Sequence, residues 1–289
     1  MKNWILAIRP KTLTASVAPI LAATVLAFKL GYAVDFWTVG WCFVAAICIQ
    51  IATNLINDAI DFDKGADTSE RIGPTRVTAS GIISRKMVMR WAGLMLLIAL
   101  VCGIPLVVKG GWPIFSIGVL SLFLAYSYTG GPFPLAYLGL GDIFVILFFG
   151  VIAVGGVFFL LTGSYSTPAL VLGLQIGLLS TVLIAINNLR DVNQDRLANK
   201  KTLAVRFGVQ FARFEILGLL LGAFLLQFYW LKLGWLLAAL PLFLIPLAAH
   251  IGLQIFKNDP SPIYNKFLGL SAILHLAFGM IFSLGLVLT

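Results

Sequence analysis

Runs of about 20 apolar residues follow one another along most of this chain, which is the length an α-helix needs to cross a bilayer. Of the 289 residues, 60% are hydrophobic and only 11% are charged, and the mean hydropathy is +1.02. A soluble domain of this length has too little interior to hide that much apolar surface. The chain therefore reads as an all-α, polytopic membrane protein forming a single transmembrane domain. Spans are expected at roughly 12–30, 36–57, 87–108, 112–128, 138–162, 167–188, 211–230, 233–256 and 266–288. That makes nine, and Gly110, Gly111 and Pro113 argue for a division in the third-to-fourth connection rather than one bent helix.

Nine spans place the termini on opposite sides, and the basic residues choose which. Lys2, Arg9 and Lys11 share one side with Lys64, Arg71, Arg76, Arg85, Lys86 and Arg90. Arg190, Arg196, Lys200, Lys201, Arg206, Arg213, Lys257 and Lys266 fall there too, so 17 of the 20 basic residues face one way. Lys29, Lys109 and Lys232 face the other. The split predicts a cytoplasmic amino terminus in the cytoplasmic (inner) membrane, with the polar loops on the same side. A net charge of +9 can signal nucleic acid or acidic lipid. Here the cations share their loops with carboxylates, which favours a small anionic ligand and no nucleic acid. The first apolar run is interrupted at Arg9-Pro10 without a small-residue cleavage site, unlike a cleaved signal peptide. Cys42, Cys48 and Cys102 lie far apart inside spans without metal spacing.

Two polar clusters stand where spans meet loops. One runs from Asn54 through Asn57, Asp58, Asp61 and Asp63 to Asp67; the other covers Asn187, Asn188, Arg190, Asp191 and Asp195. Of 11 acidic residues, six fall in these two places. Carboxylates are costly to desolvate at a membrane boundary, so their concentration marks a site. Asn54, Asp58 and Asp61 recur at i, i+4 and i+7, and Asn187, Asp191 and Asp195 at i, i+4 and i+8, so each set lines one helical stripe. Like charges at that spacing repel by a few tenths of a kcal/mol even on an exposed helix, and something positive must lie between them. Mg²⁺ suits such oxygen donors, being bound through carboxylates together with substrate phosphates. His250 and His275 are isolated and read as packing residues. Both clusters precede basic loops containing a Thr, a weak internal repeat that divides the chain into halves of about 1–130 and 131–289. Arg76, Lys200 and Arg206 are the preferred contacts for a diphosphate, whose charge must be balanced as its C–O bond breaks.

The segments Asn54 to Asp67 and Asn187 to Asp195 resemble the two Asp-rich motifs of the UbiA-type intramembrane prenyltransferase superfamily. Arg9-Pro10-Lys11-Thr12-Leu13, Arg71-Ile72-Gly73-Pro74, Tyr128 to Leu135 and Lys201 to Gly208 are similar to one branch, the 1,4-dihydroxy-2-naphthoate prenyltransferases of menaquinone synthesis. Asn199 and Asp142 depart from that branch, where Gly and often Glu are usual. Gly130-Gly131 replaces the Lys-Arg pair of 4-hydroxybenzoate enzymes. The resemblance implies helices around a central apolar cavity in the lipid bilayer, with Mg²⁺ held by Asp58, Asp61, Asp191 and Asp195 with help from Asn54. It further implies polyprenyl diphosphate as donor, an allylic cation sheltered by aromatic faces, and 1,4-dihydroxy-2-naphthoate as acceptor, with loss of CO2. Asn57 and Asn188 join the substrate-binding set. Asp67 is a candidate for a further ligand or the base, Tyr126 and Tyr128 for orienting the ring, and Arg9 and Lys11 for meeting its carboxylate. Another aromatic acceptor (homogentisate, 4-hydroxybenzoate or a porphyrin) is the alternative. A cation-coupled transporter is the remote one, which predicts carboxylates at mid-helix rather than at one rim.

Overall fold

A computed structural model describes residues 2–67 and 72–288, so Arg71 lies outside the described residues. All regular structure within them is helical. A short helix α1 (Lys2–Ile8) leads into α2 (Pro10–Lys29) through Arg9, whose backbone is left-handed at φ 55°. Next come α3 (Phe36–Asp63) and α4 (Arg85–Ser127). Helix α5 (Gly141–Val145) continues through a π-helical stretch, Ile146–Ile152, into α6 (Ala153–Thr162). Then follow α7 (Thr167–Arg190), the short α8 (Val192–Leu197), α9 (Leu203–Leu225) and α10 (Gln227–Lys232). A 3₁₀ stretch, Leu236–Leu244, runs into α11 (Ile245–Lys257), and α12 (Tyr264–Leu288) closes the bundle.

Eight of these helical units are long and apolar enough to cross a membrane, against nine expected. The difference lies in α4, which at 43 residues covers two expected spans. Gly111 interrupts it with φ 65° and ψ −150°, a conformation that a Cβ would strain, so its helical path breaks where the sequence predicts a division. Start signals elsewhere are local: the Asp35 carboxylate accepts from the Trp37 and Thr38 amides, and Ser84, Ser166 and Thr202 cap α4, α7 and α9.

The most enclosed helix is α7, and the π stretch lies directly against it. A Cβ on Gly150 would run into the Gly173 carbonyl, and one on Gly177 into that of Ile146. Close backbone approach of this kind is how membrane helices gain packing without a hydrophobic drive between them. Buried polar groups are satisfied across helices: Trp230 Nε1 donates to Gln175 Oε1 at 2.8 Å, and Gln175 Nε2 to the Ala223 carbonyl at 3.1 Å. At one end of the bundle Lys109 pairs with Asp35 at 2.7 Å. At the other, the ends of α3 and α7 line a common cavity together with residues from 72–84, 128–140 and 191–202.

Candidate active site

Residues of both polar clusters border one cavity of about 180 Å³, with Asp61 the one aspartate of their six that lines it. Asn54, Asn57 and Asp61 face it from α3, Asn187 and Asn188 from α7, Asp142 from α5, and Arg76 and Lys200 from the loops. Helix α3 continues to Asp63, beyond the expected end at 57, so the first cluster is helical as far as Asp63 and Asp67 lies in the loop beyond. Asp61 is clamped from two sides. Arg76 Nη2 lies 3.2 Å from its Oδ2, and the Tyr137 hydroxyl donates to Oδ1 at 2.9 Å. Arg76 also faces Asp67 through Nε at 3.4 Å, with both side chains buried. One guanidinium thus serves two carboxylates, as its forked donors permit.

Asp58 behaves differently. Its oxygens accept from the Val77 and Thr78 amides at 3.2 and 2.9 Å, so this buried carboxylate anchors the loop after Arg76. Asn54 donates to the Ile8 carbonyl at 2.7 Å and the Thr12 hydroxyl at 2.9 Å, tying the amino-terminal turn to α3. Asn57 accepts from the Thr129 hydroxyl. Neither Asp58 nor Asp67 lines the cavity, whereas Asn54 and Asn57 do.

In the second cluster Asp191 is gripped bidentately by Arg190, Nε to Oδ1 at 2.8 Å and Nη2 to Oδ2 at 2.6 Å. The same guanidinium donates to Asn187 at 2.9 Å and to Asn265 at 2.8 Å, and Asn265 donates to the Ile72 carbonyl at 3.1 Å. Asp195 meets Lys200 at 3.6 Å through Oδ1, while its buried Oδ2 has no hydrogen-bond partner. Burial pushes the Asp195 carboxyl up to about 6 against the opposing pull of Lys200. Lys64 donates to the Thr129 carbonyl at 2.7 Å and stands 3.8 Å over the Tyr137 ring, with Lys200 at 5.7 Å from the same ring. Burial holds Lys64 below the usual lysine range and drives the Tyr137 hydroxyl above its own. Tyr137 therefore stays a neutral donor to Asp61.

Some expected residues lie apart from this cavity. Arg206 is exposed and donates to the Leu138 carbonyl at 2.8 Å and the Lys201 carbonyl at 3.1 Å, pinning two loops. Tyr126 is exposed beside Gly130, where a Cβ would come within 3.0 Å of its ring. Tyr128, by contrast, lines both the polar cavity and a larger apolar one of about 510 Å³ between α2, α3, α4 and the α5–α6 unit. Ala15, Gln50, Thr53, Val145 and Phe149 are shared in the same way, so the polar chamber and the apolar one adjoin along a common wall. Arg190, Tyr137, Asn265 and Lys64 carry much of this geometry but were not expected in the site. Arg190 sits inside the second motif and was open to recognition; Tyr137 and Asn265 carry no periodic signal.

A model of the UbiA prenyltransferase family matches residues 16–284. The chain belongs to that family. It is 32% identical to the 1,4-dihydroxy-2-naphthoate octaprenyltransferase of Haemophilus influenzae across 100% of this chain and 96% of that protein. With the Escherichia coli protein of the same name it shares 38% identity over 76% of this chain and 73% of that one. A UbiA homolog from Archaeoglobus fulgidus bound to DMAPP and Mg²⁺ has the same fold, with a TM-score of 0.60 at 17% identity over 97% of this chain and 99% of that one. This UbiA family member is accordingly a prenyltransferase with an all-helical membrane fold. Among its described residues no three His, Cys, Asp or Glu side chains gather as a self-sufficient metal cage. The open Asp195 oxygen and a donor set made wholly of oxygens fit a hard cation that completes its shell with substrate phosphates.

Proposed function

We propose that this enzyme transfers a polyprenyl group from polyprenyl diphosphate to 1,4-dihydroxy-2-naphthoate, releasing diphosphate and CO2 and giving demethylmenaquinol. The observation that carries this reading is the junction of the two cavities: an anion-handling chamber at the bundle end, sharing a wall with an apolar chamber suited to an isoprenoid tail. The name of a relative that spans the whole chain, a 1,4-dihydroxy-2-naphthoate octaprenyltransferase, supports the naphthoate in particular.

Asp61 and Asp195, steadied by Asp58 and Asp191, would hold Mg²⁺ against the diphosphate. When bound, the metal neutralises charge on the departing diphosphate. Arg76 and Lys200 line the chamber and stabilise the same charge by ion pairing. Tyr137 and Arg76 fix the orientation of Asp61, and Arg190 that of Asp191. Departure of diphosphate leaves an allylic cation at the junction, where the faces of Tyr128 and Phe149 favour positive charge and the apolar wall excludes water. The amino-terminal side and the chamber face the cytoplasm, in keeping with the distribution of basic residues.

The test uses purified protein in detergent with Mg²⁺, a polyprenyl diphosphate and 1,4-dihydroxy-2-naphthoate. Diphosphate and CO2 are expected in equal amounts, abolished by EDTA and by Asp61→Ala. Diphosphate release with a different aromatic acceptor and none with the naphthoate would overturn the reading.

A further inference from the structure

Asp142, on the first turn of α5, has no place in the metal and diphosphate machinery. It is 4% exposed, it lines the polar cavity, and its Oδ1 has no hydrogen-bond partner. The site's other carboxylates each have an assigned partner. Asp61 and Asp67 face Arg76, Asp191 faces Arg190, Asp195 faces Lys200, and Asp58 holds two backbone amides. No cation among the described residues forms an ion pair with Asp142. A buried carboxylate left open toward a cavity carries a desolvation cost that a ligand can relieve.

Its position indicates which ligand. Asp142, Val145 and Phe149 recur at i, i+3 and i+7, and all three line the polar cavity. Val145 and Phe149 also line the apolar chamber. Tyr128 borders both, and its hydroxyl would lie 3.1 Å from a Cβ placed on Gly141, next to Asp142. A flat ring at this junction, flanked by Tyr128 and Phe149, brings a ring hydroxyl to Asp142 and a ring carbon to the mouth of the apolar chamber.

We propose that Asp142 is the catalytic base for the acceptor, a role that rests on the naphthoate reading above. The donor's C–O bond breaks with both electrons leaving on diphosphate. The ring carbon that bears the carboxylate forms the new C–C bond to the allylic cation. The adjacent hydroxyl becomes a ketone as its proton passes to Asp142. The adduct is a β-keto carboxylate, so CO2 departs and leaves its electron pair as an enolate, which takes the proton back from Asp142. Base and proton are both restored, and no oxidant or further reactant enters. Asp67, closed off against Arg76, is placed less well for this work.

The experiment compares wild type with Asp142→Asn, Asp142→Glu and Asp142→Ala. It reads product formation and, separately, the Mg²⁺-dependent thermal stabilisation of the protein by polyprenyl diphosphate alone. Loss of a general base predicts product formation down by about 10²–10⁴-fold in the Asn and Ala variants. Donor stabilisation is expected to stay at the wild-type level, and added formate should restore activity to Asp142→Ala, with Asp142→Glu retaining much of it. Product formation by Asp142→Asn within about threefold of wild type, far less than removal of a base predicts, overturns the proposal. So does loss of donor stabilisation in step with activity, which would mark a structural role. A wild-type enzyme that leaves the naphthoate unprenylated overturns the acceptor reading instead, and the inference falls with it.

Discussion

Asp58 and Asp61 reach across the fold for their partners, whereas Asp191 and Asp195 find theirs within five residues. The first motif is completed by Val77, Thr78 and Arg76 from one loop and Tyr137 from another, 15 to 76 residues away in sequence. The second is completed by Arg190, adjacent to Asp191, and by Lys200. Similar stripes on two helix ends thus acquire different supports. The first half of the site exists only once the loops have packed over α3. Much of the second half is built by the end of α7 itself, with Asn265 of α12 securing the same guanidinium. Similar helical stripes place the carboxylates; the partners come from whatever lies opposite.

If both halves serve one metal-bound diphosphate, the largest effect comes from removing a carboxylate from either. Asp61→Ala and Asp195→Ala should each lower turnover by about a thousand-fold, on the scale of losing a preorganised transition-state contact. A loss confined to one variant would break the symmetry of the site. Stability should separate the halves next. Arg190→Met leaves Asp191 buried and uncompensated, and Arg190 itself is 1% exposed. Breaking such a buried pair costs about 3–5 kcal/mol, read as a lowered unfolding temperature in detergent even without substrate. Retained stability would mean that Asn187 and Asn265 suffice to hold the helix end.

Hydropathy made the helices legible because each span must bury its own backbone hydrogen bonds in lipid. The break at Gly111 was readable for the same reason as a turn, since Gly and Pro cluster there. The extension of α3 to Asp63 was not: hydropathy falls where the carboxylates begin, although the helix continues because Asp58 and Asp61 find partners. Spacing also revealed that both motifs face one way, as Asn57, Asp61, Asn187 and Asn188 all line one cavity. It could not distinguish Asp61, at the cavity wall, from Asp58, turned to the loop, because the two share a stripe. Nor could it supply Tyr137 or Asn265, whose contacts span 76 and 75 residues and leave no periodic trace.

A smaller effect distinguishes Asp195 from its counterparts through pH. Burial pushes its carboxyl up to about 6 from the ordinary 3.8, so the folded protein binds this proton more tightly than the unfolded chain does. In EDTA, this residue's contribution to stability therefore falls as pH rises from about 4 to about 6. With Mg²⁺ the sign reverses, because only the ionised carboxylate binds metal. Apparent Mg²⁺ affinity should weaken by about tenfold per unit as pH drops below 6, for each proton that competes. Titrations of Mg²⁺-dependent stabilisation from pH 5 to 8 would check this, and a flat response would place Asp195 outside the metal site.

The smallest effect is expected at Arg206. Expected from sequence to contact the diphosphate, it is exposed and donates to two loop carbonyls, those of Leu138 and Lys201. Each such hydrogen bond contributes about 1 kcal/mol net, and Tyr137, whose carbonyl accepts from the Lys201 amide at 3.0 Å, ties the same loops together. Arg206→Ala should therefore leave turnover and the KM for donor within about threefold of wild type, as expected where only modest hydrogen bonds are lost. A rise of 100-fold in donor KM with unchanged stability would mean that the loop swings inward when diphosphate binds. Arg206 would then join Arg76 and Lys200 at the phosphate, and the second half of the site would depend on loop closure as much as the first.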